Sequence, residues 1–407
     1  MSVLIPSGFF WLDTSEAERK RMQELVATFR EKGTLDEMGI GTIRDGLADL
    51  LFPGTSTIQT RARYFLFVPW MYQELERRKT PSHEIRERAR RWEVRIMEAL
   101  SRSGDLEGLI GRDAGAAVQR MPSNIYWNGL RKWGIARFPG SQAQYHRVLD
   151  TAYLKQSRLV SSDDPESYSG SHPGHWDPAL PPAPEGFPDT VSFSLRPEDA
   201  EYLRNRIMIH SKGTMLAHLV RQNHEPERTP AMWESEYVRD LPSDLQTLLQ
   251  EAEAFSLWIQ GASLLYQWLL AEKTKKVVAR ERCEELIQDW GEALNTAPEV
   301  LQVWQPSSLW RLLDQSGTKI PPRTMSFADL WTQGVRGLAH PVQILESDRL
   351  KSLVREREIS LKRSASRFVN PRALELWRGD VGPGRLTYRW ANVLRHLTDL
   401  HKGLNHA

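Results

Sequence analysis

The sequence predicts a mainly α protein: multi-helical, with two helical domains or subdomains joined by a Pro/Ser/Gly-rich acidic linker, and few short strands. Three observations carry this prediction. Apolar residues recur at three- and four-residue spacing along most of the 407-residue chain, the signature of helices with one buried face. Capping residues and Pro or Gly breakers punctuate that spacing at helix-like intervals. Residues 156–192 lose the periodicity and become rich in Ser, Pro and Gly. The expected division is 1–158, an N-terminal helical domain; 159–192, the linker or a long loop; and 193–407, a C-terminal helical domain with a basic end.

Each element has its own warrant. Ser15 and Glu18 form a capping-box pair, followed by Met22, Leu25, Val26 and Phe29 at helical spacing up to Gly33. A short helix over about 42–52 places Ile43, Leu47, Leu50 and Leu51 on one side and ends at Pro53-Gly54. The next helix is expected to begin at Thr57 and to run into the charged stretch 74–79, with a kink at Pro69. Residues 84–100 read as a charged surface helix with an apolar stripe of Trp92, Ile96 and Leu100. Helices over about 124–133 and 141–155 flank a Gly/Pro turn, and Pro197 suits the first position of a helix. Leu241, Leu245, Leu248, Ala252, Phe255, Ile259, Ala262, Tyr266 and Leu269 then draw one continuous seam along 243–272. Shorter helices broken by prolines lead to charged helices over 347–364 and 385–401.

Composition bounds the class. Hydrophobic residues make up 40% and charged residues 26%, ordinary for a globular protein, while fifteen tryptophans suit aromatic-pinned helices. The formal charge is only +2, but it is uneven. Residues 161–201 carry nine acids against one base, and residues 351–407 carry twelve bases against five acids. An anionic partner would meet the C-terminal end. Cys283 is the sole cysteine, which excludes an intramolecular disulfide and a cysteine-based zinc site. The start MSVLIPSGFFWLD does not read as a signal peptide, and the apolar run Tyr64–Tyr72 is far short of the roughly 20 residues that span a bilayer. The expectation is a soluble, cytoplasmic protein with no membrane contact and no cofactor.

The most informative stretch is Asp45–Trp70, DGLADLLFPGTSTIQTRARYFLFVPW. Ser56 precedes Gln59 at capping-box spacing, Thr55 and Thr57 add hydroxyls, and Arg61 and Arg63 follow, with Arg44 able to approach from the helix before. A helix N-terminus offers unpaired N–H groups to an anion, so these residues make a candidate phosphate or nucleic-acid site. The alternative is a capped helix whose arginines pair with Asp45 and Asp49, one turn apart. Those aspartates, with Asp36 and Glu37, could also be read as a divalent-metal cluster, and His172, His175 and Asp177 as a transition-metal set in a loop. Solvated acids and loop histidines are the commoner reading of both. A second candidate nucleic-acid surface is the last helix, with Arg385, Arg389, Asn392 and His396 along one stripe and Arg395 and Lys402 extending it. No phosphate-binding P-loop, dinucleotide-binding glycine motif, His-Glu-x-x-His or nucleophile elbow occurs.

The stretch Ile40–Trp70, together with FFWLD at the start, SNIYWNGLRKWGI (Ser123–Ile135) and RLTYRW (Arg385–Trp390), resembles a bacterial family that carries a domain-of-unknown-function label. The resemblance spans almost the whole chain, least so in 156–192. It transfers no catalytic residue. It implies a cytoplasmic bacterial protein, of a kind associated with gene clusters for helicases and phospholipase-D-like nucleases that oppose phage. Taken together, the expectation is a non-catalytic accessory protein of such a multi-protein system, contacting DNA or RNA and working with protein partners such as a helicase or nuclease subunit. The alternatives are a helical protein–protein scaffold and, last, a metal-dependent nuclease built on Asp45 and Asp49.

Overall fold

The computed structural model describes residues 38–104, 106–160, 174–379 and 384–405. The capped helix expected at 15–33, together with Asp36, Glu37 and His172, lies outside them. Fifteen α-helices run through the described residues, whose only β feature is an isolated antiparallel bridge between Ala136 and Trp176. The protein is mainly α. The helices are α1 (Gly41–Leu51), α2 (Tyr64–Arg77), α3 (Ile85–Arg102), α4 (Pro122–Lys132), α5 (Gln142–Val160), α6 (Pro197–His210), α7 (Met215–Gln222) and α8 (Ser243–Lys273). They continue with α9 (Val277–Thr296), α10 (Glu299–Gln302), α11 (Pro306–Gln315), α12 (Pro322–Arg336), α13 (Asp348–Lys362), α14 (Pro371–Glu375) and α15 (Trp390–Asn405). None is long and apolar enough to cross a membrane.

The chain forms two compact units that interleave along the sequence. One comprises Met1–Gly41, Leu257–Pro298 and Pro321–Arg385; the other Thr42–Ser256, Glu299–Ile320 and Leu386–Ala407. Helix α8 supplies residues to both, changing unit between Ser256 and Leu257. Its seam is buried throughout, from Leu241 at 5% exposure to Leu269 at 1%. The seam residues are buried in both units.

In the larger unit, α2 is buried on every side from Tyr64 to Tyr72, as an all-round apolar helix must be. Phe65 stacks on Trp133 with ring centres 3.9 Å apart, and Phe67 stacks on Phe187 at 6.1 Å. Tyr72 lies nearly parallel to Trp176, 5.7 Å away. The Trp70 indole N–H donates to the Pro181 carbonyl at 2.7 Å. In the described part of the expected dividing stretch, residues 174–192, Trp176 is buried in this core while Pro181 and Phe187 contact α2 from half-buried positions. Helix α15 comes so close to α6 that a Cβ on Gly403 would stand 2.8 Å from the Ala200 Cβ.

The smaller unit is pinned by tryptophan. The Trp290 indole donates to the Leu257 carbonyl at 2.8 Å and Trp331 to the Trp258 carbonyl at 2.9 Å, their rings 6.5 Å apart. Only glycine fits at 261, where a Cβ would meet Trp290 at 2.4 Å. Arg357 is buried among acceptors, donating to the Met38 and Gly39 carbonyls and to the Thr324 hydroxyl. Ser347 caps α13 and Asn370 caps α14 through side-chain oxygens. Cys283 is fully buried, and desolvation pushes its thiol up to about 12, so it carries no thiolate at neutral pH.

Candidate functional site

Residues 53–63 form a compact turn, and α2 begins at Tyr64 rather than at the expected Thr57. Gly54, at φ +82°, passes beneath Trp133, whose indole donates to the Pro53 carbonyl at 2.9 Å. Thr55 turns inward and its hydroxyl donates to the Phe52 carbonyl at 2.7 Å. Ser56 N–H donates to Gln59 Oε1 at 3.1 Å, and Gln59 Nε2 closes the turn on the Gly54 carbonyl at 3.1 Å. The Ser56–Gln59 pairing is real, but it closes a loop instead of starting a helix. Thr60 and Arg61 both donate their N–H to the Tyr126 hydroxyl, at 2.8 and 3.1 Å. Thr57 is exposed.

Carboxylates occupy the places in which a phosphate was expected. Asp399 on α15 accepts the Ala62 N–H at 2.8 Å and grips Arg61 through Nε at 3.0 Å and NH2 at 2.8 Å. The Arg61 guanidinium also lies 4.6 Å over the Phe193 ring. Arg63, 6% exposed, donates to the Ser192 and Ser194 carbonyls and sits 3.5 Å from Asp199, a carboxylate shared with Arg196. The two arginines are thus internal partners, though of Asp399 and Asp199 and not of Asp45 and Asp49. Asp49 pairs instead with Arg389 at 2.6 Å, and Asp45 with Arg44 at 3.0 Å. Among the described residues no three His, Cys, Asp or Glu side chains converge as metal ligands.

The C-terminal segment clasps the same turn. Helix α15 starts at Trp390, five residues after the expected Arg385, because Tyr388 and Arg389 take positive φ of 51° and 71° and bend the chain first. Arg385, half-buried, lies off the helix, so the expected stripe is broken. Arg389 donates to the Thr55 carbonyl at 2.8 Å, and Asn392 Nδ2 donates to the Thr57 and Gln59 carbonyls. His396 is 1% exposed, edge-on to Phe65, and desolvation pushes it down to about 3, which keeps it neutral. Of the expected binding stripe, Arg395 remains exposed.

Sequence reasoning missed a buried polar network beside α2. The fully buried Glu76 accepts from the Tyr145 hydroxyl at 2.6 Å, His175 Nδ1 at 3.0 Å and the Trp176 indole at 3.2 Å. His175, read as a loop histidine or metal ligand, is a carboxylate partner. Glu93 accepts the Ser123 N–H at 2.6 Å, and burial raises its carboxyl to about 7. Nothing separates Glu76 or Glu93 from the surface acids around them in sequence; only their neighbours in space do.

A different set of basic side chains lies in the smaller unit. Arg349, Arg355, Arg363, Arg372 and Arg378 are all exposed, and none has a carboxylate partner among the described residues. Within the basic end of the sequence these five arginines face solvent, whereas Arg357 is buried and Arg389 and Asn392 are spent on the turn. No curated protein and no solved structure matches the chain. A family model, described as a family of unknown function (DUF6361), matches residues 6–403. That match covers nearly the entire chain, and the protein belongs to this family.

Proposed function

We propose that this protein is a non-catalytic accessory component of a bacterial anti-phage system, and that it contacts nucleic acid through the exposed arginines of residues 349–378. The observation that carries the reading is the set Arg349, Arg355, Arg363, Arg372 and Arg378, exposed and without carboxylate partners among the described residues. Cations left uncompensated on one short stretch raise the local potential and suit a polyanion. The arginines of the turn do not share this property, since Asp399 and Asp199 already neutralise them. The anti-phage setting, with helicase or nuclease partners, rests on the family resemblance alone. A titration of duplex DNA and duplex RNA against the protein, from about 50 to 200 mM salt, tests the contact. Replacing the five arginines with glutamine is expected to flatten the log–log salt slope by about 0.9 per lost phosphate contact. Absence of binding by the unmodified protein at about 50 mM salt overturns the proposal.

A further inference from the structure

The corner between α8 and α9 is stitched to the segment that follows α14. The Lys276 ammonium donates to the Trp377 carbonyl at 2.7 Å and lies 5.2 Å from the Trp377 ring. Trp377 is buried, and its indole donates to Gln267 Oε1 at 3.1 Å. Two residues on, Gly379 at φ +87° comes so close that a Cβ there would stand 3.2 Å from Lys276 Cδ. The other end of α14 is fixed by Asn370, whose Oδ1 accepts the Arg372 and Ala373 N–H groups at 3.0 and 3.3 Å. On this pinned frame Leu376 is 73% exposed next to the buried Trp377. Val277 and Val278, which follow Lys276, are 53% and 80% exposed. The Leu376 N–H donates to the Arg372 carbonyl at 3.3 Å, so the leucine shares a face with Arg372 one helical turn away. Arg378 follows two residues later. Residues 272–279 and 371–379 carry Lys273, Lys275, Lys276, Arg372 and Arg378 against Glu272 and Glu375. None of those cations meets a carboxylate among the described residues.

We propose that Leu376, between Arg372 and Arg378, is an apolar wedge that enters an unstacked step of a nucleic acid held by those arginines. The site accordingly takes duplex with a bulge or mismatch in preference to continuous duplex. The inference rests on the nucleic-acid reading above and assigns its preferred substrate. Uncompensated cations draw a polyanion, but an aliphatic side chain among them gains nothing from phosphates. It gains from base faces, which a duplex offers only where stacking is broken. Unstacking costs least where a base is already unpaired, and that difference is the source of the preference. The buried Trp377 and the Lys276 bond hold the backbone beneath the wedge, so insertion does not first require the ordering of a loop. Val277 and Val278 add apolar area on the adjoining segment.

In the test, the unmodified protein and Leu376→Ala are titrated with a continuous duplex and with the same duplex carrying a bulged base beside a 2-aminopurine. The unmodified protein is expected to bind the bulged duplex roughly tenfold more tightly and to raise the 2-aminopurine fluorescence. In Leu376→Ala the preference is expected to fall below about threefold and the fluorescence gain to disappear. Salt slope and melting point stay unchanged, because the substitution touches neither the cations nor the core. Equal affinity of the unmodified protein for both duplexes overturns the wedge and leaves the exposed leucine to a protein partner. A folded Leu376→Ala variant that keeps the preference overturns it as well. Binding of neither duplex at about 50 mM salt is a separate outcome: it refutes the nucleic-acid reading, and the wedge with it.

Discussion

Replacing Arg61 with glutamine removes the cation that faces Asp399, whose side chain is only 6% exposed, while the Arg61 side chain is itself 18% exposed. Stranding one member of a buried pair costs roughly 3 to 5 kcal/mol. Asp399 keeps the Ala62 N–H at 2.8 Å after the change, which places the cost at the lower end, about 3 kcal/mol. For a unit of this size that corresponds to a melting point lower by about 6 °C. The assay is calorimetric melting of Arg61→Gln, Asp399→Asn and the double variant. The double variant is expected to lose less than the two singles combined, a coupling of about 2 kcal/mol, because it leaves no unpaired charge behind. Nucleic-acid binding measured well below the melting point is expected to stay unchanged. A single variant that melts within about 1 °C of the unmodified protein refutes the argument that the turn's anion is internal.

Three further outcomes are expected. His396, held neutral in the fold with its pKa down to about 3, makes the protein lose stability as pH falls from its ordinary value near 6.5, by about 1.4 kcal/mol per pH unit. Glu93, protonated in the fold up to about 7, works in the opposite sense: its contribution is complete below about 4.5 and is lost as pH rises through 7. The two slopes oppose each other between about pH 4.5 and 6.5. Melts of Glu93→Gln across that window should therefore expose the His396 slope, and a flat profile in the variant counts against a neutral buried His396. Gly54→Ala sets a Cβ 2.5 Å from Trp133 Nε1 at φ +82° and is expected to lower stability by about 2 kcal/mol, read from denaturant unfolding. Cys283 should resist a thiol reagent in the folded protein and react once denaturant is added, since its thiol is buried and titrates only near 12.

Much of the fold was legible from spacing. The seam of α8, the stripe of α3 through Trp92, Ile96 and Leu100, and Pro197 at the start of α6 are local facts of sequence, and each element lies where its pattern puts it. The start of α2 was not legible. Its apparent cap, Ser56 with Gln59, is satisfied within the turn, while Tyr126 and Asp399 hold the next residues from 65 and 337 positions away. The start of α15 was hidden for a different reason: Tyr388 and Arg389 adopt positive φ, a conformation that neither residue type advertises. The candidate site was half legible. Its cations were identifiable, but whether an arginine faces solvent or a carboxylate depends on partners that spacing cannot rank. Arg63 and Arg355 look alike in sequence; one is 6% exposed against Asp199 and the other open to water.

The clasp of the turn by α15 also fixes an order of events during synthesis. Arg61 and Asp399 are 338 residues apart, so the turn leaves the ribosome long before the helix that completes it exists. At roughly 5–20 residues per second, the interval is on the order of 17 to 70 s. Throughout that time Arg61 lacks the Asp399 carboxylate beside the apolar run of α2, and the larger unit cannot complete its core. A polyanion or a chaperone that meets the nascent chain meets a surface which the finished protein no longer has.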